Sequence, residues 1–207
     1  MKVGVLALQG CIDSHIEIIK SLGAEAIKVT SPLELAQCTH LIMPGGESTT
    51  MLKLMHITEL IDPLKDFIKL KPVWGICAGA ILLSSTVENP SQFSFSGINL
   101  RAVRNFYGSQ LDSFEAEIKI AFPGEQDYCI KAPFIRAPKL ISLSEAAVPV
   151  AFLNSSTPSQ AIQIANANTP IANTLQTIPS RIRPFAQESI AYLAKNAPEQ
   201  ANAPANL

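Results

Sequence analysis

The chain has 207 residues, of which 47% are hydrophobic and 16% are charged, so it can bury a sizeable core and does not resemble a disordered protein. Its formal net charge of −1 at pH 7 creates no field that would attract nucleic acid or a membrane surface. No apolar run is long enough to span a bilayer, and the run that follows Met1 stops at Gln9-Gly10 without a cleavage-site pattern. We therefore expect a cytoplasmic protein.

Strand and helix patterns alternate in the first half of the chain. Apolar, β-branched runs predict strands over residues 2–8, 24–30, 39–46 and 71–77. Helical spacing of apolar residues predicts helices over residues 11–23, 48–70 (interrupted near Ile57 and Thr58) and 78–85. This alternation predicts a parallel sheet that is covered by helices on both faces.

The rhythm changes after about residue 98. The segments 98–108, 113–122 and 128–138 have strand patterns and are joined by turns without intervening helices. We therefore expect an α/β fold whose mostly parallel central sheet has added antiparallel strands.

The composition changes again in the last third of the chain. From Ala146 to Leu207 the only acidic residues are Glu188 and Glu199, and there is no histidine. We expect a single domain over residues 1–193, in which 150–193 is atypical, and a disordered tail over 194–207.

A cysteine stands between two glycines where the fourth predicted strand meets a helix. The stretch Gly75-Ile76-Cys77-Ala78-Gly79 has the pattern of a nucleophile on a sharp strand-to-helix turn. The helix that follows would favour the thiolate, and the backbone N–H of Ala78 could supply half of an oxyanion hole. The alternative is an ordinary turn with a small buried cysteine. The other three cysteines are widely scattered and are expected to be small hydrophobic residues: Cys11, Cys38 and Cys129.

A second glycine corner, MPGGEST, ends the third predicted strand at residues 43–49. Gly46 could donate the second N–H that an oxyanion hole needs. The alternative is an ordinary turn with Ser48 as a helix N-cap. Arg104 and Arg136 are candidates to bind a carboxylate, although either arginine alone is more simply a surface residue.

Taken together, five segments resemble the class I glutamine amidotransferases, and more specifically the glutaminase subunits of pyridoxal 5'-phosphate synthase. These segments are VGVLALQG, MPGGESTTM, GICAG, RNFYGSQLDSFEAE and FIRAP, and the resemblance covers most of residues 1–140. It implies a three-layer α/β fold with a mixed sheet. It also implies that Cys77 attacks the side-chain amide of L-glutamine to form a thioester and release ammonia.

The resemblance assigns further roles. It implies that the pocket and oxyanion hole are formed by Gly45, Gly46, Glu47, Arg104, Ile135 and Arg136, with Ala78 beside the nucleophile. The partner that it implies is a synthase (lyase) subunit, which receives the ammonia and combines it with a pentose phosphate and a triose phosphate. The sequence shows no metal-ligand cluster and no dinucleotide fingerprint, so no cofactor or metal is expected for this chain.

The chain departs from the family at the end of the catalytic triad. The family carries a His-x-Glu near its C-terminus, whereas here the segment IANTLQTIPSRI (171–182) stands in that place, with Gln176 and Ile178 in one plausible register. Gln176 cannot act as a base near neutral pH. The only histidines are His15, His40 and His56, and each is expected to be a surface or helix-face residue.

Three functions remain open at this point. The first is a glutaminase subunit whose activity is seriously compromised by the missing triad base. The second is an impaired or inactive homologue that docks on the synthase or binds glutamine. The third is an unrelated cysteine hydrolase or thiol-stress protein, which would leave the GGEST and RNFYGSQLDSFEAE segments without a role.

Overall fold

In the computed structural model, four parallel strands form the sheet that organises the first half of the chain. They are β1 (Lys2–Leu6), β2 (Glu25–Val29), β3 (His40–Met43) and β4 (Val73–Gly75). Their spatial order is β2-β1-β3-β4, so β3 lies between β1 and β4. The structure describes residues 1–106, 114–120, 126–134, 137–144, 151–153 and 161–162.

Five helices connect or follow these strands. They are α1 (Ile12–Ser21), α2 (Pro32–Ala36), α3 (Ser48–Ile57), α4 (Ile61–Leu70) and α5 (Ala78–Leu83). The long helix predicted over 48–70 is thus two helices, and they separate after Ile57, where the sequence predicts the interruption. The helix predicted over 78–85 ends earlier, at Leu83, because Ser84 begins a strand.

Alternation along the strands divides the core into two layers, because successive strand side chains point to opposite faces of a sheet. Val3 and Val5 face α1 and pack with a cluster that includes Ile16 and Ile19. On the opposite face the cluster includes Leu6 and side chains from three helices: Met51, Met55, Leu64, Phe67 and Leu82. The sheet is therefore sandwiched between helices, as the predicted three-layer α/β fold requires.

The later strands form two further sheets. In one, β5 (Ser84–Glu88) is parallel to β6 (Ile98–Val103), which is antiparallel to β9 (Lys139–Ser142). The other has the order β11-β10-β7-β8. Its strands, all antiparallel to their neighbours, are β7 (Phe114–Ile120), β8 (Tyr128–Phe134), β10 (Ala151–Leu153) and β11 (Ala161–Ile162).

The mixed α/β class is confirmed, and the antiparallel strands that the sequence predicts are present in sheets of their own. The domain boundary at residue 193 and the tail over 194–207 lie outside the described residues and stay predictions. Among the residues that the structure describes, no helix has the length and apolarity needed to cross a membrane.

Candidate active site

The carboxyl ends of β1, β3 and β4 meet at one edge of the sheet, because the three strands are parallel neighbours. Their connecting corners are in contact there. A Cβ placed on Gly10 would stand 2.0 Å from the carbonyl oxygen of Gly45, and a Cβ placed on Gly45 would stand 3.5 Å from the Cβ of Cys77. The two glycine corners found in the sequence therefore lie side by side in space.

Cys77 occupies the sharp turn between β4 and α5. Its backbone has φ 49° and ψ −103°, a left-handed φ that costs energy for a residue with a side chain. A Cβ on Gly75 would stand 2.6 Å from the carbonyl carbon of Gly79, and a Cβ on Gly79 would stand 2.1 Å from the carbonyl oxygen of Met43. Both glycines are thus required for α5 to cross so close to the strands, and the predicted nucleophile turn is present.

The residues predicted to form the oxyanion hole flank this contact. Ala78 is the first residue of α5 and follows Cys77 directly, while Gly46 follows Gly45 in the adjacent corner. An oxyanion hole needs two backbone N–H groups near the reacting carbon, and these two corners bring two candidates to one place. The roles of Ala78 and Gly46 stay predictions.

Glu47 is the N-cap of α3. Its carboxylate accepts hydrogen bonds from the backbone N–H groups of Thr49 (3.1 Å) and Thr50 (2.7 Å) and from both threonine hydroxyls. Burial alone would raise the pKa of Glu47, but the hydrogen bonds from Thr49 and Thr50 together outweigh it and lower the pKa from 4.5 to about 2. Glu47 is therefore an anion at neutral pH.

The alternative in which Ser48 is the N-cap is wrong. Ser48 is instead the first residue of α3 and exposes only 2% of its surface. Its hydroxyl donates a hydrogen bond to Oε1 of Gln92 at 2.8 Å. The N-cap is Glu47 because its backbone is extended (φ −98°, ψ 115°) and helical conformation begins at Ser48, and the Glu47 carboxylate satisfies N–H groups of the first turn.

Arg104 pairs with Glu47 across 57 positions of sequence, with 3.1 Å between Nη2 and Oε1. The arginine side chain exposes 11% of its surface and that of Glu47 exposes 43%, so the surface-arginine alternative is wrong for Arg104. Nη1 of Arg104 is buried and has no hydrogen-bond partner among the described residues. Arg104 is thus a cation with an N–H donor still available, and Glu47 beside it is an anion. Such a pair suits a ligand that carries both a negative and a positive charge, such as an amino acid.

Gln9 is a site residue that the sequence did not single out. Its Oε1 accepts a hydrogen bond from the backbone N–H of Glu47 at 3.2 Å, and a Cβ on Gly46 would stand 3.3 Å from the same oxygen. A polar residue directly before a glycine at the end of a buried strand is the signal that could have identified it. Ile135 and Arg136, the remaining predicted pocket residues, lie outside the described residues.

The three histidines lie in the elements predicted for them. His40 begins β3, at the edge of the sheet opposite the Cys77 corner, and its Nδ1 lies 2.9 Å from Oγ1 of Thr39. His56 lies in the last turn of α3, about two turns from the helix start. His15, on α1, exposes 1% of its surface, and its ring makes an edge-to-face contact with Trp74.

The other three cysteines fit their expected role only in part. Cys38 exposes 1% of its surface, as expected for a small hydrophobic residue. Cys11 and Cys129 are exposed, so that expectation is wrong for both. Cys11 is the N-cap residue of α1, outside the core, and Cys129 lies on β8, the edge strand of an antiparallel sheet, where one sheet face can remain in water.

Comparisons with known proteins agree with this geometry. The model of the SNO glutamine amidotransferase family matches residues 5–172. The "Pyridoxal 5'-phosphate synthase subunit PdxT" of Listeria welshimeri is 46% identical over 144 residues, which cover 69% of this chain and 75% of that protein. The protein of the same name from Chloroflexus aurantiacus is 43% identical over 157 residues, which cover 74% of this chain and 82% of that protein.

The fold comparison points the same way. A crystal structure of a glutamine amidotransferase is 30% identical in sequence and superposes with a TM-score of 0.69, covering 90% of this chain and 97% of the other. The sequence match extends through both glycine corners and Arg104. This chain belongs to the SNO glutamine amidotransferase family.

Proposed function

We propose that this chain is the glutaminase subunit of a pyridoxal 5'-phosphate synthase and that it hydrolyses L-glutamine to glutamate and ammonia. The observation that carries the proposal is the position of the strained Cys77 corner against Gly45, next to the corner that supplies the Glu47–Arg104 pair. The relatives named as synthase subunits support the same function.

The chemistry follows from the residues of the two corners. Glu47 and Arg104 would bind the charged end of glutamine, with Gly45, Gly46, Ile135 and Arg136 completing the pocket. The Cys77 thiolate would attack the side-chain amide carbon, and the N–H groups of Gly46 and Ala78 would stabilise the oxyanion. The amide nitrogen takes up a proton, and the C–N bond breaks to release ammonia. Water then hydrolyses the thioester, which gives glutamate and regenerates the thiol.

The proton transfers in this scheme need a base that serves Cys77. The sequence contains no histidine after His56, and the family's C-terminal His-x-Glu is absent. This observation favours a second candidate function, a docking or glutamine-binding subunit whose turnover is impaired. Loss of a triad base commonly costs several orders of magnitude in rate, while binding and the oxyanion hole leave some residual catalysis.

The partner is also part of the proposal. Ammonia released at Cys77 would pass to a synthase (lyase) subunit, which would use it to build pyridoxal 5'-phosphate in the cytoplasm. Two relatives named as subunits of pyridoxal 5'-phosphate synthase support such a partner.

The test is ammonia release from L-glutamine by the purified full chain, with and without the synthase subunit of the same organism. Glutamine binding is measured in parallel by calorimetry. Cys77→Ala is the control, because it removes the thiol and leaves the Glu47–Arg104 pair in place.

Ammonia release that depends on Cys77 supports the glutaminase and means that another group acts as the base. Glutamine binding without release supports the docking or binding subunit. A chain that neither binds glutamine nor releases ammonia, even with the synthase present, would contradict both candidate functions.

A further inference from the structure

The segment between β5 and β6, residues 89–97, contacts the Glu47 side of the Glu47–Arg104 pair through Ser48. Directly before the segment, Glu88 ends β5, and its carbonyl oxygen accepts a hydrogen bond from the backbone N–H of Arg104 at 2.9 Å. In its middle, Oε1 of Gln92 accepts a hydrogen bond from the hydroxyl of Ser48 at 2.8 Å. Ser48 follows Glu47 directly, so the segment is tied to the Glu47 side of the ion pair, and the strand that precedes it is bonded to Arg104.

The segment is held in place at its far end as well. The backbone N–H of Phe95 donates to the carbonyl oxygen of Leu82 at 2.7 Å, and that of Ser96 donates to Ser84 at 3.2 Å. These bonds fasten the segment to the end of α5, the helix that begins directly after Cys77. Nζ of Lys65 on α4 also lies 5.7 Å from the ring centroid of Phe93. A segment anchored on this many elements is a fixed support rather than a free loop.

The Gln92 side chain itself is only half satisfied. Its Oε1 holds Ser48, whereas its Nε2 is buried without a hydrogen-bond partner among the described residues. A buried unpaired donor destabilises a fold, so the stability of the native state is a poor explanation for an amide at this position. The contact with Ser48 is the one that can account for it.

We propose that Gln92 is a positioning residue for the glutamine pocket. It holds Ser48 at the first turn of α3, so that the Glu47 carboxylate stays directed at Arg104. Without this contact, Ser48 loses its buried partner and the beginning of α3 can shift relative to β6. The ion pair would then no longer be pre-arranged for the ligand, and binding would have to supply the ordering. This inference rests on the proposed function, since it concerns the binding of glutamine.

The test compares the affinity for L-glutamine of Gln92→Met, Ser48→Ala and the double variant by calorimetry, on the full chain with the synthase subunit present. Methionine nearly matches the size of glutamine but cannot accept the serine hydrogen bond in the same way. Gln37→Met is the matched control, because Gln37 is exposed, directly follows α2, and its side-chain amide donates a hydrogen bond to the carbonyl oxygen of Leu33 in that helix. Thermal unfolding of each variant checks that the chain remains folded.

We expect Gln92→Met and Ser48→Ala each to weaken glutamine binding about fivefold to tenfold, the range of one lost hydrogen bond. The double variant should be no weaker than either single variant, because both changes remove the same contact. If Gln92 had only a structural role, the variants would have lower melting temperatures, but their glutamine affinities would not show this non-additive pattern.

Two results would overturn the inference alone: wild-type affinity in Gln92→Met, or losses that add in the double variant. If the unaltered chain fails to bind glutamine at all, the proposed function fails and this inference fails with it.

Discussion

Cys77 is held in its strained backbone conformation by the residues around it. The left-handed φ of 49° is not favoured by a cysteine itself, so the surrounding packing must impose it. Gly75 and Gly79 make that packing possible, because neither position has room for a Cβ. The Cys77 thiol, the predicted nucleophile, is thus presented by backbone geometry that depends on its two glycine neighbours.

Gly79→Ala tests this dependence. The new Cβ would stand 2.1 Å from the carbonyl oxygen of Met43, so α5 must move away from β3. We expect the free energy of unfolding in urea to fall by about 3 kcal/mol, at the upper end of overpacking costs. The control is Gly23→Ala, where φ is +75° but nothing lies within 4 Å; it should cost only about 1 kcal/mol. Equal losses in the two variants would contradict a steric role for Gly79.

His15 provides a second prediction, on pH dependence. Burial lowers the pKa of its imidazole from 6.5 to about 4, because the charged form loses its hydration. Between these two values the unfolded chain binds a proton that the native state does not. The free energy of unfolding should therefore fall as the pH drops below 6.5, by about 3 kcal/mol once pH 4 is reached.

His15→Leu is the variant that isolates this effect. Leucine keeps an apolar side chain against Trp74 and removes the Nδ1 atom, which has no partner among the described residues. Urea unfolding of both proteins at pH 7 and pH 4 should show a smaller loss of stability in the variant. Identical pH dependence in the two proteins would show that His15 is not the group responsible.

At the scale of elements, the beginning of α3 combines a structural role with the proposed ligand-binding role. The Glu47 carboxylate caps the helix and pairs with Arg104. Because the pKa of Glu47 is lowered to about 2, its contribution to stability is fully present above pH 4.5 and is lost as the pH falls toward 2. The carboxylate is thus available to a ligand over the whole neutral range.

Glu47→Gln should lower stability by about 1 kcal/mol, as expected for a weakened N-cap. It should also weaken glutamine binding at least tenfold, because the anion beside Arg104 is removed. Glu34→Gln is the matched control: Glu34 accepts hydrogen bonds from Thr30 and Ser31 at the start of α2 and has no contact with Arg104. Calorimetry that gave both variants the same glutamine affinity would contradict the role of Glu47.

Element prediction succeeded where the pattern was long and failed where it was short. The break between α3 and α4 was predicted at Ile57 and Thr58 because the helical spacing is interrupted there. The five-residue helix α2 was missed because it is too short for a periodic pattern, although Pro32 and Glu34 after Ser31 are a helix-start signal. β5 was also missed, because its first residue follows α5 without a turn.

At the scale of the whole molecule, the proposed ligand-binding residues lie together, whereas the histidines that could transfer protons lie elsewhere. The proposed ligand-binding residues lie in the corners of the parallel sheet and at Arg104, which directly follows β6. The histidines lie at the opposite edge of the sheet (His40), at the end of α3 (His56) or buried against Trp74 (His15). We therefore expect that the chain binds its ligand and presents the Cys77 thiol, but that proton transfer to and from Cys77 is slow.

Added imidazole tests this expectation, because a small base in solution can take the place of a missing side chain. Ammonia release from glutamine should rise several-fold with imidazole near pH 7 and should remain at background in Cys77→Ala. N-methylacetamide at the same concentration controls for solvent effects. Release that is already rapid and does not respond to imidazole would show that the chain supplies its own base.

The sequence by itself determined the order of the four parallel strands and the longer helices between them, the two glycine corners and the position of Cys77 in its turn, because these depend on local spacing and on backbone conformations that glycine permits. Only the tertiary structure decided which residues meet. It placed Gly45 against Cys77 and made Glu47, rather than Ser48, the N-cap of α3. It also brought Arg104 into contact with Glu47, 57 positions away in the sequence. Such contacts depend on strand order and on the reach of side chains, and neither is encoded in the spacing of residues along the chain.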